Sequence, residues 1–266
     1  MARAEEDREI SGRNVQFVEV YRVRRDGLPA RCAAMLGTMP PARRPTGNRL
    51  LLAAAVMLAL AAASYVFWDR PVAGWAFHLP RSWANAARRL SGLGEGVYWL
   101  SVVAVIAVTA IVRKKHGVAR WALKSAAAIA LAGLAANLVK LLAGRARPRA
   151  LDDGVWGFHF FQVGYRFASF PSGHAVIAGA VAASICLSFP RAWPAAAALW
   201  LALAGGRVLT GSHFVSDVLA GGAFGLAIMV LVDRSAWLDR AVERLVKGAR
   251  RDGAAGDSDL PAENAR

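Results

Sequence analysis

Cysteine and acidic side chains are scarce in this chain. Only 2 cysteines occur in 266 residues, Cys32 in a polar stretch and Cys186 inside an apolar run. They have no metal-ligand spacing and lie in regions that do not meet, which excludes a disulfide framework and a cysteine zinc site. Aspartate and glutamate number 18 against 33 lysines and arginines, and charged residues make up 19% of the chain against 56% hydrophobic. Apolar runs separated by basic or glycine-rich loops give it a membrane composition. A formal net charge of +15 would suggest nucleic acid in a soluble protein. Here the cations cluster beside the apolar runs, where anionic headgroups attract them, so the partner read from the charge is the lipid bilayer and not nucleic acid.

Six apolar runs are legible: Leu50 to Phe67, Val97 to Val112, Trp121 to Ala143, Ala175 to Phe189, Pro194 to Leu209 and Phe214 to Val232. They approach the roughly 20 residues that cross a hydrocarbon core. The expected fold is therefore all-α, a polytopic bundle of six transmembrane helices. Residues 1–49 read as a polar cytoplasmic tail, 50–234 as the six-span domain, and 235–266 as a basic amphipathic segment with a polar tail. Met35 and Met39 are alternative starts to Met1. Arg113, Lys114 and Lys115, together with the cations before the first run and after the last, fall on one side if the spans alternate. That side is expected to be cytoplasmic, with both termini inside an inner or cell membrane. Between the first two runs, Leu79, Trp83, Ala86, Ala87 and Leu90 recur at helical spacing after Pro80. They predict an interfacial helix, either a plain outer-loop element or a substrate gate.

The opposite side collects KLLAGRARP at Lys140 to Pro148, FPSGH at Phe170 to His174 and GRVLTGSHFVSD at Gly206 to Asp217. Taken singly these have ordinary readings. Lys140 can snorkel, Ser172 and Gly173 can cap and bend a helix start, and Arg145 and Arg149 read as headgroup or solvent contacts. Lys140 and Arg147 share a face only if the helix continues past Gly144. Taken together, lysine, arginines, histidines and a carboxylate converge on one membrane face, where isolated charges are costly and mark function. His213 and Asp217 stand at i, i+4, so on a helix the carboxylate can accept a hydrogen bond from one ring nitrogen and leave the other free. His78, His116 and His159 lack such partners and read as interfacial or loop residues.

These motifs resemble the three signatures of the type 2 phosphatidic acid phosphatase superfamily, KxxxxxxRP, PSGH and SRxxxxxHxxxD, in order. One departure is Gly206, where serine is usual, which bears on a hydroxyl contact near the phosphate. The resemblance implies a membrane lipid phosphatase working through a phosphohistidine at the extracytoplasmic or periplasmic face. It implies His213 as nucleophile, Asp217 as its orienting carboxylate and His174 as the acid. Phosphate would be held by Lys140, Arg147, Arg207, Ser172 and the Gly173 backbone. The set calls for no metal and no cofactor. The substrate class is a membrane lipid phosphate: lipid A, undecaprenyl diphosphate, phosphatidylglycerol phosphate or phosphatidic acid. Rival readings are a lipid phosphotransferase using the same site with an acceptor other than water, and a non-enzymatic anion-binding or lipid-binding bundle.

Overall fold

A computed structural model of the chain describes residues 44–244; most of the expected tail 1–49 and of the expected segment 235–266, with Cys32 and the alternative starts, lies outside the described residues. Among the described residues there is no strand, only an isolated antiparallel bridge between Arg145 and Phe158. We number the helices α1 (Arg44–Phe67), α2 (Asp69–Phe77), α3 (Arg81–Gly92), α4 (Gly96–Val112), α5 (His116–Ala143), α6 (Gly173–Ser188), α7 (Trp193–Leu209) and α8 (Val215–Arg234). A further helical stretch covers 236–244.

Among the described residues five segments are long and apolar enough to cross a membrane: Thr46–Phe67, Arg81–Val112, His116–Ala143, Pro190–Leu209 and Val215–Arg234. The chain is an integral membrane protein. The segment Arg81–Val112 comprises α3 and α4, which a turn at Leu93 to Glu95 separates. The expected fourth span, α6, is shorter, at 16 residues. At 1.5 Å per residue it is about 24 Å long, less than the ~30 Å hydrocarbon core. Helix α1 begins at Arg44, inside the expected polar tail.

Helix α6 is the centre of the bundle, with both ordinary faces covered from Ala175 to Leu187 apart from half-buried Ile185. Its small residues allow this. A Cβ added at Gly225 of α8 would lie 2.1 Å from the Val176 carbonyl oxygen, and one at Gly221 would lie 2.7 Å from that of Ser172. Both glycines are close-packing positions, where only a hydrogen fits between backbones. Around this axis Val176, Ile177, Ala180, Ile129, Ala132, Ala223 and Met229 form the main apolar core. At the far end from the motifs, Lys124 binds Asp239 at 2.8 Å and the Asp233 carbonyl at 2.7 Å, tying the 236–244 stretch to α5. Helix α3 exists where helical spacing predicted it, burying Ala87 and Ser91 and exposing Trp83 and Leu90.

Candidate active site

Three chain segments deliver the site, each at a helix end. Helix α5 stops at Ala143, and Gly144 takes a left-handed cap at φ 54°, its N–H bonded to the Lys140 carbonyl at 3.1 Å. A Cβ at Gly144 would lie 1.9 Å from the His159 carbonyl oxygen, so a side chain is excluded here on space as well as on φ. Arg147 is therefore carried by the loop after the helix and not by its continuation. Its Nε donates to the Tyr165 carbonyl at 2.8 Å, its Nη1 to that of Ser212 at 3.2 Å, and its guanidinium sits 3.9 Å from the Tyr165 ring centroid.

Ser172 holds the N-cap position of α6 and is fully buried, its N–H bonded to the Asp217 carbonyl at 3.1 Å and its Oγ without a partner among the described residues. Beside it, a Cβ at Gly173 would lie 3.3 Å from Lys140 Nζ, so glycine lets the lysine head approach the helix N-terminus, where backbone donors face an anion. His174 follows in the first turn, within the fields of Arg207, His213, Lys140 and Arg147. Arg207 stands in the last turn of α7, half-buried, with its Nε lacking a partner among the described residues. The turn after it folds back so that the N–H of His213 reaches the Arg207 carbonyl at 3.2 Å. All eight residues singled out in the sequence thus gather at one end of the bundle.

His213 is 3% exposed, and its Nδ1 lies 2.8 Å from the Ser169 carbonyl oxygen. Asp217 is farther from that nitrogen, Oδ2 at 3.7 Å. The i, i+4 spacing predicts a direct hydrogen bond, and the structure corrects this. Asp217 spends its oxygens on Ser169 Oγ at 2.6 Å, on the Phe214 N–H at 2.9 Å as a cap of α8, and on Arg145 Nη1 at 2.5 Å. The carboxylate therefore acts on the imidazole through Ser169 and through its field. A carbonyl only accepts, so Nδ1 carries the proton and Nε2 keeps its lone pair. Burial lowers the His213 pKa from the usual 6.5 to about 4, against the opposing pull of Asp217, and Arg147 and Arg207 add to the lowering.

Arg145 departs most from the sequence reading. It is no headgroup contact but 1% exposed, held between Asp69 and Asp217 and surrounded by Tyr65, Trp156, Phe158, Phe170 and Phe214. Arg149 is exposed as expected. The partner that buries Arg145 is Asp69, which the sequence reading did not single out. The signal was there: an acidic residue directly beside an apolar run requires a buried cation. His78 is exposed, its Nδ1 on the Gly74 carbonyl at 2.8 Å, and His159 packs on Phe167 with ring centroids 5.2 Å apart.

Gly206 is also explained by packing. A Cβ there would lie 2.9 Å from the Ala87 carbonyl oxygen and 2.9 Å from Ser91 Cβ, so α3 occupies the space a serine side chain would need. At the next turn, a Cβ at Gly94 would come within 3.1 Å of His174 Cδ2. Helix α3 and the turn after it thus form a wall of the site.

Helices sized for a membrane, with imidazoles, cations and a buried carboxylate gathered at one end, define a class of helical membrane proteins with a cationic cluster at one end of the bundle. Residues 121–240, which contain all three motifs, match the model of the PAP2 superfamily. Over 100 residues the chain is 46% identical to proteins named lipid A 1-phosphatase from Rhizobium etli and from Rhizobium johnstonii. The match covers 36% of this chain and 42% and 40% of those proteins, so the chain spans about two fifths of the curated relatives it matches. A crystal structure titled as the first transmembrane PAP2 type phosphatidylglycerolphosphate phosphatase, from Bacillus subtilis, aligns with a TM-score of 0.47 and 20% identity, covering 70% of this chain and 94% of that one.

Proposed function

We propose that this protein is a membrane phosphatase that removes phosphate from a lipid phosphate through a phosphohistidine on His213. The observation that carries the reading is the tautomer set by Ser169: a buried, neutral imidazole with its Nε2 lone pair free, beside three cations and a second histidine. Lys140, Arg147 and Arg207, with Ser172 Oγ and the α6 N-terminal amides, hold the phosphoryl oxygens. Phosphoryl transfer depends chiefly on such positioning and charge stabilisation.

Nε2 of His213 attacks phosphorus, the bond from phosphorus to the lipid oxygen breaks, and His174, which takes up a proton from water as the phosphate dianion binds beside it, gives that proton to the departing oxygen. Water then attacks the phosphohistidine, His174 takes a proton back, and inorganic phosphate leaves. Asp217 compensates the positive charge that His213 gains when its Nε2 bonds phosphorus. The three cations supply the charge that a divalent metal gives elsewhere, so the reaction runs without one.

The substrate reading follows the relatives' printed name: lipid A bearing a 1-phosphate is the first substrate to test, ahead of undecaprenyl diphosphate, phosphatidylglycerol phosphate and phosphatidic acid. With six spans and cytoplasmic termini, the site opens on the extracytoplasmic side of the inner membrane. Exposed Trp83 and Leu90 on α3 stand beside the wall of the site, where a lipid can move in sideways and keep its chains in hydrocarbon. The deciding experiment is phosphate release by the purified protein across that lipid panel, with and without chelator. Release from at least one lipid supports the reading, transfer to another lipid with no free phosphate supports the phosphotransferase, and neither product overturns both.

A further inference from the structure

Outside the phosphate pocket the densest polar cluster is the buried trio Asp69, Arg145 and Asp217. Asp69 heads α2, the short helix after the first span, and is 1% exposed. It accepts hydrogen bonds from Ser64 Oγ at 2.9 Å, from the Ser216 N–H at 2.9 Å, from Ser216 Oγ and from Arg145 Nη2 at 2.6 Å. Arg145 Nη1 turns the other way, to Asp217 Oδ1 at 2.5 Å and to Ser216 Oγ at 2.7 Å. The Arg145 carbonyl also accepts the N–H of Ser169, at 3.1 Å, and the Ser169 carbonyl holds His213.

The charges decide what this arrangement does. One guanidinium paired with one carboxylate is neutral, and its field at a neighbouring imidazole largely cancels. A second carboxylate on the same guanidinium leaves a net negative charge inside a buried cluster, where such a charge acts strongly. If Asp217 alone faced Arg145, little would remain to stabilise a positive His213. We propose that Asp69 is a positioning residue for the nucleophile: it neutralises Arg145, so that Arg145 can fix Asp217 and Ser169 in place while Asp217 keeps its charge for His213. The first span and α2 are then part of the catalytic device, although they lie outside the matched family segment at 121–240. The inference rests on the phosphohistidine reading of the site.

The test is a charge cycle read as kcat and KM with the best lipid substrate. Asp69→Asn keeps the shape and removes the charge, so Arg145 now quenches Asp217. The expectation is a fall in kcat on the order of tenfold to a hundredfold with KM within about twofold, the split that distinguishes the chemical step from binding. The double variant Asp69→Asn with Arg145→Gln removes both charges and leaves Asp217 unopposed but without its Arg145 anchor, so kcat should recover part of that loss. An unchanged kcat in folded Asp69→Asn overturns the proposal, as does a double variant that loses at least as much as the single. Should neither variant fold, carboxyl 13C NMR of the wild-type protein decides: both Asp69 and Asp217 ionised at neutral pH supports it, and a protonated one overturns it. That spectrum needs no turnover, so a wild-type protein inactive on every lipid phosphate would sink the phosphatase reading while the spectrum still tests the charge arrangement.

Discussion

Nδ1 of His213 is bonded to the carbonyl oxygen of Ser169 at 2.8 Å and stands 3.7 Å from the carboxylate of Asp217. The main chain, then, chooses the imidazole tautomer, and the carboxylate secures the residue that chooses it. His213→Ala is expected to abolish phosphate release and to trap no acid-labile phosphoenzyme. His174→Ala is expected to lower kcat by about 10²- to 10⁴-fold, the usual size of a lost general acid, while the protein remains inserted. Asp217→Asn should fall between wild type and His213→Ala. Phosphate release assays on purified variants, with rapid quench for the phosphoenzyme, check all three.

Burial of His213 has a pH signature. With its pKa held near 4 in the folded protein and 6.5 when unfolded, the unfolded chain binds the extra proton between those values. Stability is therefore full above pH 6.5 and declines as pH falls toward 4. Replacing His213 by Gln should flatten the pH dependence of Tm between pH 7 and 5 in detergent, and imidazole 15N NMR should show His213 still neutral at pH 5. A His213 that protonates near 6.5 would contradict the buried geometry.

Gly206→Ser, the change that would restore the usual family residue, is expected to destabilise this protein. The added Cβ meets the Ala87 carbonyl and Ser91 Cβ at 2.9 Å, and overpacking of this kind typically costs about 1–3 kcal/mol. Ser91→Gly in the same chain should recover part of the loss by removing one of the two obstacles. Thermal unfolding in detergent of the single and double variants measures this.

The orientation proposal has a chemical test. Asp153 is exposed in the loop between α5 and α6, where its carboxylate pairs with Arg166 at 2.8 Å. In a chain whose own cysteines are replaced, Asp153→Cys should react with an impermeant thiol reagent in spheroplasts, whereas a cysteine at Gly256 should not. The reverse labelling would put the site on the cytoplasmic side.

The apolar runs, the helix before Gly144, the α3 spacing and the motif residues that gather at the α6 N-terminus were all legible in the chain, because each is a local property. A run of apolar side chains, a glycine that must cap, or a histidine beside an N-terminus declares itself within a few residues. What Asp217 touches was not legible. Its i, i+4 partner is the obvious one, yet the loop at 168–170 brings Ser169 closer, and no spacing rule encodes a contact between residues 169 and 213. Arg145 was misread for the same reason: beside a helix end, an arginine facing lipid headgroups and one enclosed by aromatic rings have the same local sequence. Only the packing of α2 against α8 decides between them, by bringing Asp69 to Arg145 and so neutralising a charge that could not otherwise be buried. Gly206 is the converse case, a departure from the family pattern that is unexplained along the chain and becomes a steric necessity once α3 lies across α7.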